Sequence, residues 1–295
     1  LYGDHLDNPF KEILKYGEHI QELEFDEDQR MLYNFMFGNK RLIIRGLAGT
    51  GKTILAAKKA TEESNNENKV LVLTKTVGVG RFLSLLTRSK QFKRKFLEIS
   101  SIDGFVSNLA RRLKISINNP HKLEDEEKRK HFDEYLPSVC KKIFEENEDK
   151  KFDVLIIDEG QDFTQKMLES LEFLLEDSKD GFFYIFADKK QDLWNESADL
   201  ENANDFGPIW ELNRNVRNSK LIAEKINNIF DTYDETIDQD GPEPRFLDST
   251  HPVQTKSHLT DQVEALLKQG YSHKEIVILC WWEDIDEIKE TLLSD

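Results

Sequence analysis

Short apolar runs alternate along this 295-residue chain with longer amphipathic stretches. Most of the runs are rich in Val, Ile, Leu and Phe, which is typical of strands buried on both faces. The predicted strands are residues 41–45, 70–73, 98–101, 154–157 and 182–186. The amphipathic stretches have the spacing of helices. The predicted helices are residues 26–37, 80–86, 165–175, 219–230 and 259–269, with a further helix that starts at residue 54.

This alternation predicts an α/β fold with a parallel sheet, helices on both faces and a ligand site at the carboxyl ends of the strands. Residues 108–151 are polar and densely charged and predict a helical insertion. Two more strands near residues 245–247 and 276–279 predict the start of a second sheet. Residues 1–24 and 285–293 predict amphipathic helices at the two ends.

No stretch approaches the roughly 20 apolar residues that cross a bilayer. No charged-then-apolar leader is present either. We therefore expect a soluble, cytoplasmic protein without a membrane partner. Cys140 and Cys280 lack metal or redox spacing, and the seven histidines form no ligand pattern. We expect both cysteines to be buried apolar residues.

Residues 46–53 read Gly-Leu-Ala-Gly-Thr-Gly-Lys-Thr and join the first predicted strand to a helix. This spacing is typical of a phosphate-binding loop, whose glycines let backbone N–H groups turn toward a nucleotide. Lys52 adds a positive charge, Thr53 offers a hydroxyl to Mg²⁺, and the helix N-terminus favours an anion. The predicted nucleotide-binding residues are Gly46, Ala48, Gly49, Thr50, Gly51, Lys52 and Thr53. The alternative is a glycine-rich turn without a ligand.

The strand at residues 154–157 ends in the acidic pair Asp158 and Glu159. Taken alone, such a pair is typical of a solvated strand end. Beside a phosphate-binding loop, Asp158 is predicted to hold Mg²⁺ through water, and Glu159 to orient and deprotonate the attacking water. The sequence therefore predicts a site that binds and hydrolyses a nucleoside triphosphate.

Three segments resemble, in order, motifs of superfamily 1 DNA helicases of the UvrD, Rep and PcrA type. Residues 158–163, Asp-Glu-Gly-Gln-Asp-Phe, are similar to the Asp-Glu-x-Gln-Asp signature of that group. Residues 186–191 resemble its third motif and residues 212–219 its fourth. The resemblance implies ATP and Mg²⁺ as ligands and single-stranded DNA as a partner.

The resemblance also implies roles for three residues outside the loop. Gln29 is expected to read the adenine edge. Gln191 is expected to sense the γ-phosphate and link it to DNA, and Arg217 to reach the same phosphate from a second domain. Val216 stands where the family usually has a tyrosine that stacks on adenine, so base selectivity is weakened.

The resemblance implies a P-loop RecA-like domain over residues 1–205, with a short helical insertion at residues 106–151. Residues 206–295 would form the N-terminal part of a second RecA-like domain. The chain ends before the fifth and sixth motifs, so we expect a larger parent with further domains or a partner protein. The sequence around residues 241–242 and 275–279 is similar to that of UvrD-like helicases that accompany a nuclease-related domain.

The net charge of −16 argues against a nucleic-acid partner, but residues 75–114 carry a net charge of +8. Two motifs there resemble strand-contacting ones, which implies nucleic-acid contacts from Lys75 and Thr76 and from Ser101 and Phe105. Trp194 is a candidate base-stacking platform. The alternatives are a solvated basic helix at residues 90–95 and a buried Trp194.

Together these features predict ATP-driven movement along single-stranded DNA. One alternative is an ATP-gated switch or assembly module with the same fold and no unwinding activity. Another is an inactive structural domain, against which the complete set of predicted site residues argues. Strand-stimulated ATP hydrolysis separates the first interpretation from the other two. We expect weak ATPase activity, or none, from the 295-residue chain by itself.

Overall fold

A computed structural model describes residues 25–87, 94–114, 127, 130, 134–146, 151–177, 181–188, 206–230, 235–236, 241, 243–247 and 252–278. The helices predicted at residues 1–24 and 285–293 lie outside these ranges. The chain divides into two compact units, one that ends at Gly241 and one that contains the residues from Pro242 onward.

A six-stranded parallel sheet forms the centre of the first unit. Its strands are β1 (Arg41–Gly46), β2 (Val70–Thr74), β3 (Leu97–Ser101), β4 (Val154–Asp158), β5 (Phe182–Asp188) and β6 (Ile209–Leu212). Their order across the sheet is β3-β2-β4-β5-β1-β6, and each neighbouring pair is parallel. The predicted α/β fold with a parallel sheet is confirmed.

Helices precede, connect or follow the strands in the described part of this unit. They are α1 (Glu27–Gly38), α2 (Lys52–Asn65), α3 (Val77–Leu86), α4 (Ile102–Leu113), α5 (Leu136–Glu146), α6 (Gln165–Leu171) and α7 (Lys220–Phe230). Side-chain caps fix where four of them start, and at α6 the cap is Thr164, which accepts from the backbone N–H of Met167. Asp26, Thr76 and Ser101 each accept a hydrogen bond from a backbone N–H in the first turn of α1, α3 and α4. Such caps satisfy N–H groups that have no partner inside the helix.

The central strands separate two hydrophobic cores. Successive side chains of a strand point to opposite faces, so Leu71 and Leu73 pack in one core while Val70 and Val72 pack in the other. Helices α4 and α6 cover the first core, and α1, α2 and α3 cover the second. Burial on both faces explains why the strands read as continuous apolar runs.

Strand β6 was not predicted, because Ile209–Leu212 mixes apolar and charged residues and pairs only along the edge of the sheet beside β1. Beyond it, β7 (Arg214–Asn215) and β8 (Glu235–Thr236) pair in parallel as a separate two-stranded sheet. The first compact unit thus continues past residue 205. The division into two RecA-like domains at that point stays a prediction.

The described part of the second unit contains α8 (Pro252–Lys268) and the 3₁₀ turn His273–Glu275. The strands predicted near residues 245–247 and 276–279 are wrong at the described positions, since residues 245–247 and 276–278 form no strand. Phe246, Leu247 and Val277 are exposed there at 65%, 50% and 78%. A strand needs a paired neighbour, and the described residues of both segments pair with no other strand.

Candidate nucleotide-binding site

The loop that follows β1 lies at the carboxyl edge of the sheet. Gly46 is in register with Asp188 at the end of β5 and with Leu212 at the end of β6. Asp158 ends β4, which is the next strand beyond β5. The parallel order therefore brings the glycine-rich loop and the acidic pair to one edge, as the sequence predicts.

Two glycines of the loop adopt left-handed backbone conformations, with φ of 94° at Gly49 and 86° at Gly51. Residues with a side chain rarely adopt these angles. Helix α2 begins at Lys52, directly after the second of them. The loop thus leads into a helix N-terminus, whose free N–H groups and dipole suit a phosphate.

Three successive carbonyl groups of the loop accept hydrogen bonds from outside it. Ala48 O accepts from Asn215 Nδ2 at 3.2 Å, and Gly49 O accepts from the backbone N–H of Val216 at 2.9 Å. Thr50 O accepts from Gln29 Nε2 at 3.1 Å. These donors hold the loop from α1 on one side and from the segment after β6 on the other.

Lys52 is buried and lies folded onto the loop. Its ammonium group donates to Gly46 O at 2.7 Å and to Leu47 O at 2.9 Å. Asp188 Oδ2 lies 3.4 Å from the same nitrogen. The carboxylate at the end of β5 therefore forms an ion pair with this lysine. The sequence did not indicate this contact.

Asp158 is 1% exposed. Neither of its carboxylate oxygens has a hydrogen-bond partner among the described residues. Burial, and then the charge of Glu159, raise the pKa of Asp158 to about 7, while the Thr53 hydroxyl and the Lys52 charge lower it. Thr53 therefore lies close to the carboxylate, although the pair does not have the geometry of a full hydrogen bond. A buried carboxylate without a hydrogen-bond partner, beside a hydroxyl group, offers the oxygen ligands that a hard cation such as Mg²⁺ takes.

Glu159 follows directly in a left-handed conformation, with φ of 57°. Gln161, which is buried, connects it to the next strand. The Gln161 amide donates to Glu159 Oε2 at 2.7 Å, and its oxygen accepts from the backbone N–H of Asp188 at 2.8 Å. The sequence motif contains Gln161, but its spacing did not reveal this bridge.

The two residues expected to read the ends of the nucleotide differ in how they are held. Gln29 is buried and takes part in the capping box of α1 as well as in the bond to the loop. Arg217 has an exposed side chain, and its backbone N–H donates to Asn215 Oδ1 at 3.2 Å. Gln191 lies outside the described residues. The assigned roles of all three stay predictions.

A family model described as "Type III restriction enzyme, res subunit" matches residues 15–187, which is more than half of the chain. The chain belongs to this family. It is a P-loop domain of the helicase kind. The narrower resemblance to superfamily 1 helicases of the UvrD, Rep and PcrA type stays a prediction. No curated protein matches the chain.

Several solved structures share a distant likeness with this family member. The Pif1 helicase from Candida albicans is 15% identical, with a TM-score of 0.35, over 64% of this chain and 39% of that one. AMPPCP-bound DnaA from Aquifex aeolicus is 16% identical, with a TM-score of 0.35, over 72% and 56%. Bacteroides Pif1 bound to ssDNA is 14% identical, with a TM-score of 0.35, over 92% and 57%. The chain thus spans between about two fifths and three fifths of these proteins.

Four of the predicted nucleic-acid residues lie at or just after the carboxyl ends of β2 and β3, which are neighbours in the sheet. Thr76 is exposed and caps α3, whereas Ser101 is largely buried and caps α4. Lys75 is partly exposed. Phe105 is only 3% exposed and packs in the core against Phe152, so it offers no surface to a strand.

Trp194 and Cys280 lie outside the described residues. Cys140 is buried, as expected, and burial raises the pKa of its thiol to about 12. The described residues contain no cluster of three or more His, Cys, Asp or Glu that can hold a metal ion. In the same part of the chain, no helix has both the length and the apolar character needed to span a bilayer.

Proposed function

We propose that this family member is the nucleotide-binding core of a UvrD-like, ATP-dependent translocase that moves along single-stranded DNA. The observation that carries the proposal is the buried Asp158 carboxylate, which lies close to Lys52 and Thr53. Within the described ranges, neither of its oxygens has a hydrogen-bond partner. An uncompensated buried carboxylate is costly to maintain. A bound metal–triphosphate complex would offset this cost, because the metal would supply the partner that the carboxylate lacks.

The loop geometry supports ATP as the substrate. Gly49 and Gly51 have left-handed backbone, as loops that turn N–H groups toward an anion require, and the carbonyls of residues 48–50 are bound from outside. Lys52 can turn from the loop carbonyls to the β- and γ-phosphates, which are stronger acceptors for an ammonium group. Thr53 and Asp158 would hold Mg²⁺. The ion would neutralise part of the phosphate charge there.

Glu159 would act as the general base that orients and deprotonates the attacking water. Gln161 supports this role because it fixes the Glu159 carboxylate against the end of β5. Arg217 would stabilise the negative charge that spreads over the γ-phosphoryl group, an effect worth about 10³-fold or more in rate. Gln191 would report the same phosphate to the bound strand.

Gln29 and Val216 are the two residues that bear on nucleotide selectivity. Gln29 is buried close to the loop and donates to it, so we propose that it also meets the adenine edge. Val216 supplies an apolar side chain near Gly51 where the UvrD type has an aromatic one. We therefore expect a preference for ATP over GTP that is smaller than stacking would provide.

The proposed strand path crosses the sheet edge formed by β2 and β3. The N-termini of α3 and α4 both lie at this edge, with Thr76 and Ser101 as their caps. Helix N-termini favour phosphates. The surrounding residues 75–114 carry a net charge of +8, which favours a polyanion in spite of the acidic remainder.

Movement would follow from alternating grips on the strand. We propose that residues 206–295 begin a second RecA-like domain and that further domains or a partner protein complete it. ATP holds the Arg217 side chain at the γ-phosphate, and hydrolysis removes the phosphate that held it there. Two strand contacts that tighten in turn would then produce stepping.

The test is ATP turnover by the full-length protein with and without single-stranded DNA, together with displacement of streptavidin from a biotinylated strand end. We expect several-fold stimulation by the strand and ATP-dependent displacement. The Lys52→Ala protein should show neither. Turnover that ignores the strand, with no displacement, would support a nucleotide-gated switch and contradict translocation.

A further inference from the structure

The phosphate-binding loop is held from outside at Ala48, Gly49 and Thr50. In a loop whose N–H groups turn toward a ligand, the carbonyls turn away and need donors of their own. Two of the three donors, Asn215 Nδ2 and the N–H of Val216, come from the short segment after β6. The same segment carries Arg217, which the proposed function places at the γ-phosphate.

Asn215 has contacts in both directions. Its Nδ2 group donates to Ala48 O at 3.2 Å. Its Oδ1 atom accepts from the backbone N–H groups of Arg217 at 3.2 Å and Asn218 at 3.0 Å. One amide side chain thus joins the loop to the backbone of the arginine.

The fit around this amide is close. Asn215 is 5% exposed. A Cβ atom added at Gly49 would lie 2.5 Å from Asn215 Oδ1, so the amide packs directly on the loop glycine. A buried side chain in contact with both a left-handed glycine and the following turn has little freedom to move, and it transmits the position of one to the other.

We propose that Asn215 is a positioning residue that sets the Arg217 backbone in register with the phosphate-binding loop. Its effect is to let the site distinguish ATP from ADP, because only ATP carries the phosphate that Arg217 meets. The inference rests on the proposed function. It adds to that function the residue that links nucleotide binding to the arginine.

The chemistry of the amide gives a sharp test. Asn215→Asp keeps the oxygen that accepts from Arg217 and Asn218 but replaces the donor to Ala48 O with a second acceptor. The turn should therefore survive while the link to the loop is lost. Asn215→Ala removes both. Asn213→Asp is the matched control, because it makes the same change at an exposed side chain two residues away.

The readout is the equilibrium affinity of the full chain for ATP and for ADP with Mg²⁺, measured by titration calorimetry, and no turnover is required. Loss of one buried hydrogen bond with repulsion in its place should weaken ATP binding about tenfold. ADP affinity should change by no more than about twofold. Thermal unfolding of each variant shows whether it is folded. If the Asn215→Ala protein does not fold, the Asn215→Asp protein alone provides the test.

A double-mutant cycle with Arg217→Ala completes the experiment. If Asn215 acts through Arg217, the double variant should lose no more ATP affinity than Arg217→Ala alone. The inference is overturned if Asn215→Asp weakens ATP and ADP equally, leaves both unchanged, matches Asn213→Asp, or adds fully to Arg217→Ala. A wild-type chain that binds neither nucleotide overturns the proposed function as well, so the two failures are distinct.

Discussion

The side-chain amide of Gln161 donates a 2.7 Å hydrogen bond to the carboxylate of Glu159. The oxygen of the same amide accepts from the backbone N–H of Asp188, and the Asp188 carboxylate approaches Lys52. Buried polar groups linked in this way fix one another's orientation. Glu159 and Lys52 therefore belong to one network across β4, β5 and β1.

Replacing Gln161 with Ala should slow ATP hydrolysis and leave ATP binding nearly intact. The Glu159 carboxylate would lose the donor that fixes it, and a misplaced general base costs about 10²-fold in rate. Single-turnover hydrolysis and nucleotide titration measure the two effects separately. The control is Gln165→Ala, whose amide bonds to Glu169 on the exposed side of α6. Equal losses of binding and rate would show that Gln161 holds the fold rather than the base.

Replacing Glu159 with Gln should give a protein that binds ATP and hydrolyses it at least about 10²-fold more slowly. The change is nearly isosteric, and the amide cannot accept the proton of the attacking water. The bound nucleotide should remain unhydrolysed in a filter-binding assay. If ATP binding disappears instead, Glu159 is not the base.

The pKa of Asp158, raised by burial to about 7, predicts how stability depends on pH without a ligand. Between the ordinary carboxyl value and about 7, the folded protein holds a proton that the unfolded chain has released. The contribution of Asp158 to stability is thus complete at acid pH and is lost as pH rises through the folded pKa. The site is least stable in the pH range where it can bind a cation.

Asp158→Asn should therefore stabilise the nucleotide-free protein at pH 8, by about 1–3 kcal/mol in the free energy of unfolding. The gain should shrink toward pH 4, where the native carboxyl is also neutral. Urea unfolding at the two pH values measures it. The control is Asp261→Asn, at an exposed carboxylate of α8. Destabilisation at pH 8 by the Asp158 variant would contradict the unpaired, buried carboxylate.

Reversing the charges of Lys93, Arg94 and Lys95 should weaken binding of single-stranded DNA and flatten its salt dependence. Each lost phosphate contact lowers the slope of log affinity against log salt by about 0.7. Fluorescence anisotropy at several salt concentrations provides the slope. Lys268→Glu in the second compact unit is the control. Unchanged affinity and slope would remove this basic segment from the strand path.

The sequence was most informative where local spacing determines structure. The strand–loop–helix pattern around Lys52 predicted backbone conformations reserved for glycine at Gly46, Gly49 and Gly51, and the last two adopt left-handed backbone. Gly46 does not, and its lack of a side chain instead makes room for the Leu212 carbonyl. The acidic pair at the end of β4 was equally readable, because parallel strands bring their carboxyl ends to one edge.

Contacts between segments far apart in the sequence could not be predicted in this way. The Asn215 amide meets Ala48, and Asp188 meets Lys52, only because β6 and β5 flank β1. Strand β6 has too mixed a pattern to reveal that position. The burial of Phe105 was missed for the same reason. Its motif suggested a contact with nucleic acid, whereas the amphipathic pattern of α4 places it in the core. Such outcomes depend on packing, which short motifs do not encode.

The most direct test of the nucleotide pocket is equilibrium binding of ATP to the chain with and without Mg²⁺, for the native protein and for Lys52→Ala. We expect one ATP per chain, with tighter binding when Mg²⁺ is present, and a loss of at least about tenfold in affinity when the ammonium group is removed. Absent binding, or binding of equal strength in the Lys52→Ala protein, would contradict the assignment of this loop as a phosphate site.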